Sequence, residues 1–276
     1  MNTTRSGRFL GAVAVLVFAV VFLVPFAFIV LTAVKPQQEA SRLEFSWPRH
    51  WAIGSNLRQV LQAQNYQLVA AMINSVILTV TSVAIMVILA AMVAYVVQRR
   101  RSRWIPLINF LVLSGLIIPP AVVPTIYVLQ KLHVFNTLPG LILIEAAFGM
   151  AFSVMLFRAF IGSIPRDLDE AAMIDGAGPL RLFFGVIFPL LRPVTITVVV
   201  VQSVTVFNDF ANPLYFLPST SGATVQLTLF NFQSQFVSSY NLLFMDILLI
   251  TIPPLIMFLF FNRQIVAGMT NGAVKG

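Results

Sequence analysis

Four of the nine acidic residues of this 276-residue chain, Asp167, Asp169, Glu170 and Asp175, fall in one short stretch, Ser163-Ile164-Pro165-Arg166-Asp167-Leu168-Asp169-Glu170-Ala171-Ala172-Met173-Ile174-Asp175-Gly176-Ala177-Gly178-Pro179. The remaining groups with chemical potential are thinly spread. Cysteine is absent and histidine occurs only as His50 and His133, so thiol nucleophiles, disulfides and Cys/His metal sites are excluded or nearly so. No HExxH or GxSxG pattern is present, and none of Lys35, Lys131 and Lys275 follows a glycine, so a phosphate loop ending in Gly-Lys is missing too. The spacing supports neither covalent catalysis nor ATP hydrolysis by the chain itself. It supports a helical hairpin. Pro165 suits a first helical position, Asp167, Asp169 and Glu170 occupy the opening turns where the helix dipole favours anions, and Gly176 is a natural left-handed stop. Pro179 can then open a second helix through Leu180, Leu182, Phe183, Val186 and Ile187 to Pro189.

The elements that must position this hairpin belong to lipid. Ala, Val, Ile, Leu, Met, Phe, Trp, Tyr and Cys make up 59% of the chain and charged residues 9%, against about 25% charged in a soluble domain. Apolar runs of roughly 20 residues, enough to cross the hydrocarbon core, predict an all-α, polytopic membrane protein with spans at about 9–34, 71–97, 105–129, 138–160, 193–217 and 242–262. The run from Phe9 to Val34 far exceeds a signal-peptide core of about 7–15 residues, so it reads as an uncleaved first helix. The +8 net charge would suggest nucleic acid in a soluble protein, but here the basic residues sort by side. Arg5, Arg8, Arg99, Arg100, Arg101, Arg103, Arg158, Arg166, Arg181, Arg192, Arg263 and Lys275 fall on one side, and Lys35, Arg42, Arg49, Arg58 and Lys131 on the other. The positive-inside rule then places both termini, the 98–103 loop, the 162–192 hairpin and the 263–276 tail in the cytoplasm.

Proline and polar residues within the spans carry further information. Pro25, Pro119-Pro120 with Pro124, and Pro253-Pro254 are expected to break or kink helices at membrane depth, either to serve packing alone or to let a bundle move. Asn109, Glu145, Gln202, Thr205, Asn208, Asp209, Asn212 and Asp246 are costly in hydrocarbon and should face the bundle interior or a wet path. Asn208, Asp209 and Asn212 equally suit a helix end at the outer interface. Glu145 and Asp246 lie near the outer ends of their spans and are expected to reach the outer water. The hairpin, with an apolar face and no span to bury it in, can plug a cytoplasmic partner or fold back against its own bundle.

Glu170-Ala171-Ala172, Asp175-Gly176-Ala177, Phe183, Pro189-Leu190 and Pro193 together resemble the EAA loop of permease subunits of ATP-binding-cassette importers, in the longer form of carbohydrate-uptake systems. Asn74-Ser75, Asn136-Thr137, Asn208-Asp209-Phe210 with Pro213-Leu214, and Gly268 followed by Gly272-Ala273-Val274-Lys275-Gly276 extend the likeness to the maltose-type subfamily over nearly the whole chain from the second span on. The resemblance implies one six-helix permease domain over 1–276 in a bacterial-type inner membrane. It also implies a second homologous permease subunit, two copies of an ATPase that hold ATP and Mg, and an external solute-binding protein that delivers a sugar. This chain would bind no cofactor and would be no enzyme. Glu170, Ala171, Ala172, Asp175, Gly176, Ala177, Phe183 and Pro189 would couple to the ATPase, and Gly272, Ala273, Val274, Lys275 and Gly276 would touch its dimer interface. Gln202, Thr205, Asn208, Asp209 and Asn109 are the candidates for the substrate path. The chain departs from the family at Phe207, where many relatives have Trp, and at Asp246, where a small residue is usual. Two other readings stay open: an ion-coupled carrier with a relay through Glu145, Asp209 and Asp246, and an importer permease for a solute that is not a sugar.

Overall fold

The computed structural model describes residues 5–219, 222–232 and 239–273, with side chains at 11, 13–219, 222–232 and 239–261. Among them every regular element is helical. The main helices are α1 (Arg5–Ala33), α2 (Ile53–Gln62), α3 (Gln67–Arg99), α4 (Ile105–Ile117), α5 (Val122–Lys131), α6 (Leu138–Ile161), α7 (Asp167–Ile174), α8 (Pro179–Leu182), α9 (Arg192–Phe207), α10 (Ala211–Phe216) and α11 (Tyr240–Ala273). Among the described residues, four segments are long and apolar enough to cross a membrane: Val13–Ala33, Gln67–Arg99, Leu138–Ile161 and Tyr240–Phe261. Two further spans exist only if bent pairs are counted as one each, with a bend of 118° between α4 and α5 and of 77° between the Pro179–Leu190 stretch and α9.

The first bend changes the expectation of a kinked span at 105–129. Ile118 precedes Pro119-Pro120 and is driven to an extended conformation (φ −80°, ψ 123°), because the proline ring clashes with a helical residue before it. The chain leaves α4 and re-enters a helix only at Val122. Pro25 and Pro253-Pro254, by contrast, run inside continuous helices. The fifth span is also shorter than expected. Its helix ends at Phe207 and not at residue 217, because Asn208, Asp209 and Phe210 form a break before α10.

The chain divides into two compact units, one of Met1–Ala70 with Leu227–Ile252 and one of Ala71–Gln226 with Pro253–Gly276. In the first, Asn56 is 1% exposed and closes the end of α1: its amide donates to the carbonyls of Ala33 at 2.8 Å and Lys35 at 2.9 Å. Those carbonyls have no intrahelical partner and would otherwise be buried unsatisfied. The Asn241 amide donates in turn to Asn56 Oδ1 at 2.9 Å. Lys35 is buried as well, and its ammonium donates to the Glu44 carbonyl at 2.8 Å and to Ser46 Oγ at 3.1 Å.

In the second unit, α6 packs against α4, α9 and α10. The core runs from Leu78, Val87, Ala90 and Ala94 of α3 through Leu141, Val154 and Phe157 of α6 to Ile187, Val194 and Val198. Ala90, Ala91 and Ala94 are 0% exposed. Small side chains at that spacing let helix backbones approach closely, the usual means of packing where lipid offers no hydrophobic drive between helices.

Candidate coupling hairpin and membrane cleft

Both candidate sites lie in the second unit. The hairpin begins where α6 ends at Ile161 and follows the expected helix–turn–helix course. Its first helix ends in a Schellman turn: the Ala177 amide donates to the Ala172 carbonyl at 2.9 Å and the Gly176 amide to the Met173 carbonyl at 3.0 Å. Gly176 sits at φ +78°, a conformation that L side chains rarely adopt, which explains why glycine stands there. The second limb opens with α8 and continues through a π-turn at Phe183–Ile187 to Leu190.

The acidic residues of α7 do not form one solvated opening turn. Glu170 and Asp175 are exposed, but Asp169 is 6% exposed and points into the protein. Tyr95 Oη donates to its Oδ1 at 2.7 Å and Arg99 Nη2 pairs with its Oδ2 at 3.1 Å. Arg99 also donates to the Ile164 carbonyl at 2.9 Å, and Arg166 to the Gln98 carbonyl at 3.5 Å. The two candidate alanines separate likewise: Ala171 is exposed and Ala172 half-buried. Phe183 is buried against Tyr95, with ring centroids 5.5 Å apart, while Ala177 is half-buried and Pro189 exposed. The outward surface presents Leu168, Met173 and Ile174, the last 86% exposed.

Tyr95 and Gln98 are not among the residues the sequence singles out, and Arg99 counts there only among the basic residues of one side. Tyr95 and Arg99 stand four residues apart at the end of a span, hence on one helix face, and that spacing is the signal that would have found them.

The second site is a cleft of about 340 Å³ between α6 and α9, lined by Glu145, Phe148, Gly149, Phe152, Gln202, Thr205, Asp209 and Asn212 among others. Gln202 is 4% exposed, and its amide donates to the Gly149 carbonyl and to Ser153 Oγ, each at 3.2 Å. Glu145 is equally buried and accepts from the Asn212 amide at 3.2 Å, with Asp209 beside it. Asp209 also accepts from the Ala211 amide at 2.9 Å, at the start of α10.

This geometry corrects several expectations. Glu145 does not reach bulk water, because Asn212, brought back by the turn at 208–210, folds over it. Nor does Asp246, which is 0% exposed and accepts from Thr228 Oγ1 at 2.9 Å in the first compact unit. Of the three acids of the relay reading, Glu145 and Asp209 adjoin, and Asp246 accepts from Thr228 within the other unit. Asn109 is not at the cleft; its Oδ1 accepts from Arg158 Nη1 at 2.7 Å, and Arg158 Nε donates to Gln98 at 3.2 Å near the hairpin end of α6. Asn208 is exposed and accepts from Gln226 at 3.3 Å, outside the cleft lining. Gly272 and Ala273 continue the backbone of α11, and Val274, Lys275 and Gly276 lie outside the described residues.

An all-helical chain with several membrane-length helices, an outward hairpin and a polar cleft in its bundle defines a multi-pass transport component. The family of binding-protein-dependent transport system inner membrane components matches residues 87–271, and the chain belongs to it. Relatives include the melibiose/raffinose/stachyose import permease protein MelC of Bacillus subtilis (strain 168), 30% identical over 99% of this chain and 98% of that one. The probable starch degradation products transport system permease protein AmyC of Thermoanaerobacterium thermosulfurigenes is 30% identical over the whole of both. In a solved bacterial ABC transporter for the import of the acidic polysaccharide alginate, one chain has the same fold, with a TM-score of 0.82 at 21% identity over 94% of this chain and 98% of that one. The resemblance seen in the sequence is thereby borne out: the chain is a permease component of a binding-protein-dependent importer of the inner membrane, and it is a transport component, not an enzyme.

Proposed function

We propose that this chain is one of two homologous permease subunits of an ABC importer that carries a sugar or oligosaccharide inward, with ATP and Mg held by two copies of an ATPase. The hairpin and both termini face the cytoplasm. A solute-binding protein delivers the sugar from the other side. The two compact units together serve one transmembrane permease domain whose spans, counting each bent pair as one, number six. ATP-driven closure of the ATPases pushes on the coupling element of Glu170, Ala171, Ala172, Asp175, Gly176 and Ala177 with Phe183 and Pro189 of the second limb, and the bundle alternates between inward- and outward-facing states. The tail at 272–276 reaches the ATPase interface. The observation that carries this reading is the hairpin: it stands on fixed hydrogen bonds to α3 yet leaves Leu168, Met173 and Ile174 uncovered, which a folded-back loop would not do. The relatives named for melibiose, raffinose and starch products support the saccharide.

The decisive experiment assembles the chain with its companion permease, ATPase and binding protein in proteoliposomes. ATP hydrolysis is expected to rise when the binding protein is loaded with a cognate saccharide from a panel including melibiose, raffinose and trehalose. No stimulation by any saccharide, with stimulation by a different class of solute, overturns the substrate class. For the path itself, the structure favours Gln202, Thr205 and Asp209, the candidates that line the cleft, over Asn109 and Asn208. Thr205→Ala with Asp209→Ala is expected to cut uptake about tenfold, the loss of one to two hydrogen bonds to a polar ligand, while the complex still assembles. Wild-type uptake in that double variant rejects the assignment.

A further inference from the structure

We propose that Tyr95, Arg99 and Asp169 form the joint through which force on the hairpin reaches the membrane bundle; this rests on reading the hairpin as the ATPase-docking element. Three observations carry it. First, the polar ties between hairpin and bundle are concentrated at one place. Asp169 holds Tyr95 at 2.7 Å and Arg99 at 3.1 Å, Arg99 holds the Ile164 carbonyl at 2.9 Å, and Tyr95 packs against Phe183 of the second limb with ring centroids 5.5 Å apart. Both limbs are therefore fastened to the last two turns of α3. Second, the joint resists opening. The side chains of Arg99 and Asp169 are only 10% and 8% exposed, and Asp169 Oδ2, which has no hydrogen-bond partner, is compensated by the ion pair with Arg99 Nη2, so separating the pair leaves two poorly hydrated charges. Third, α3 cannot absorb the motion locally. One turn before Tyr95, Ala90, Ala91 and Ala94 are 0% exposed in the packed core, and close-packed helices move as bodies. Asp169 thus faces inward on a helix whose exposed Ala171 and Ile174 lie roughly on the other side and would meet the ATPase. Tyr95, Arg99 and Asp169 are positioning residues: none of them touches the cleft lining.

The test separates docking from transmission in proteoliposomes of the complete complex. Asp169→Asn keeps an acceptor for Tyr95 but loses the ion pair. The ATPase is expected to co-purify and to hydrolyse ATP within about twofold of wild type, while saccharide transported per ATP falls about tenfold, within the range of coupling carried by single residues. Tyr95→Phe, which spares the ion pair, is expected to lower that ratio about threefold, and it decides the matter alone if Asp169→Asn fails to assemble. Because the chain has no cysteine, Tyr95→Cys with Asp169→Cys can be bridged by a short dithiol-reactive reagent in cysteine-free partners. Bridging is expected to restore the ratio that the unbridged double variant loses. An unchanged ratio in Asp169→Asn and Tyr95→Phe overturns the proposal, as does a bridge that blocks transport, which would make the contact a gate that must open. Gly176→Pro serves as the control on the underlying reading: if it leaves transport intact, the hairpin does not dock the ATPase, whereas its failure beside a normal Asp169→Asn variant sinks the joint alone.

Discussion

Gly176→Pro is expected to abolish transport in a complex whose permease is still inserted and paired. Gly176 adopts φ +78° and donates its amide to the Met173 carbonyl at 3.0 Å. Proline cannot do either, since its ring holds φ near −65° and removes the donor. The Schellman turn opens, the Ala172 and Met173 carbonyls lose their partners, and the outward residues of α7 lose their orientation. A Cβ at Gly176 meets nothing within 4 Å, so the effect comes from the backbone and not from crowding. The local cost is about 3 kcal/mol, and it falls on a solvent-side hairpin, leaving the apolar spans to insert as before. Ala171→Trp tests the same surface by another route. Ala171 is exposed, so the indole blocks the surface without disturbing the core, whereas at Ala172, half-buried, the same change would push into the bundle. Both variants are expected to lose co-purifying ATPase and substrate-stimulated hydrolysis. Wild-type hydrolysis in either would remove the hairpin from the coupling path.

Gly140→Ala is expected to cause the largest loss of folded protein among single-methyl changes. A Cβ there would lie 2.0 Å from the Val134 carbonyl oxygen and 3.0 Å from its carbon. That carbonyl is backbone, and it cannot swing away, because it accepts the Thr137 hydroxyl at 2.7 Å while the same hydroxyl accepts from the Gly140 amide at 3.1 Å. Asn136, just before, adopts φ +57°, donates its amide to the Phe216 carbonyl at 3.2 Å and accepts from the Ser219 amide at 3.2 Å. The start of α6 is thus interlocked with the segment after α10, and the added methyl must displace several bonded groups at once. A cost above about 3 kcal/mol is expected, beyond ordinary overpacking. The measurement is the midpoint of heat-induced loss of monodisperse protein in detergent, with Gly54→Ala, where nothing lies within 4 Å of the added methyl, as the reference. Equal midpoints would show that the helix start yields.

Gln202 and Asp246 show how much of the site was legible in the residues. Polar side chains are expensive in hydrocarbon, so Gln202 is expected to face the interior and is buried, whereas Asp246, expected at the outer water, is buried as well. Which neighbours they find was not legible. Gln202 meets Gly149 and Ser153, more than forty residues away, and Asp246 meets Thr228 in a segment that no hydropathy pattern connects to it. Glu145 was misjudged for the same reason: its distance from the end of its helix suggested water, and only the turn at 208–210 brings Asn212 over it.

By itself the sequence determined a polytopic helical membrane protein with a helical hairpin, because the scarcity of charge, the length of the apolar runs and the placement of Pro165, Gly176 and Pro179 are local properties, and the likeness of Glu170-Ala171-Ala172 and Asp175-Gly176-Ala177 to a known permease loop supplied the class. Tertiary structure alone decided the rest. Two spans are bent, Asn109 and Asn208 stand apart from the cleft, and Asp169, one acid among four in its stretch, is the one turned inward onto Tyr95 and Arg99. The physical reason is that helix periodicity says which residues share a face of one helix, whereas burial and pairing depend on which other helix lies against that face, and that is set by packing between residues far apart in the chain.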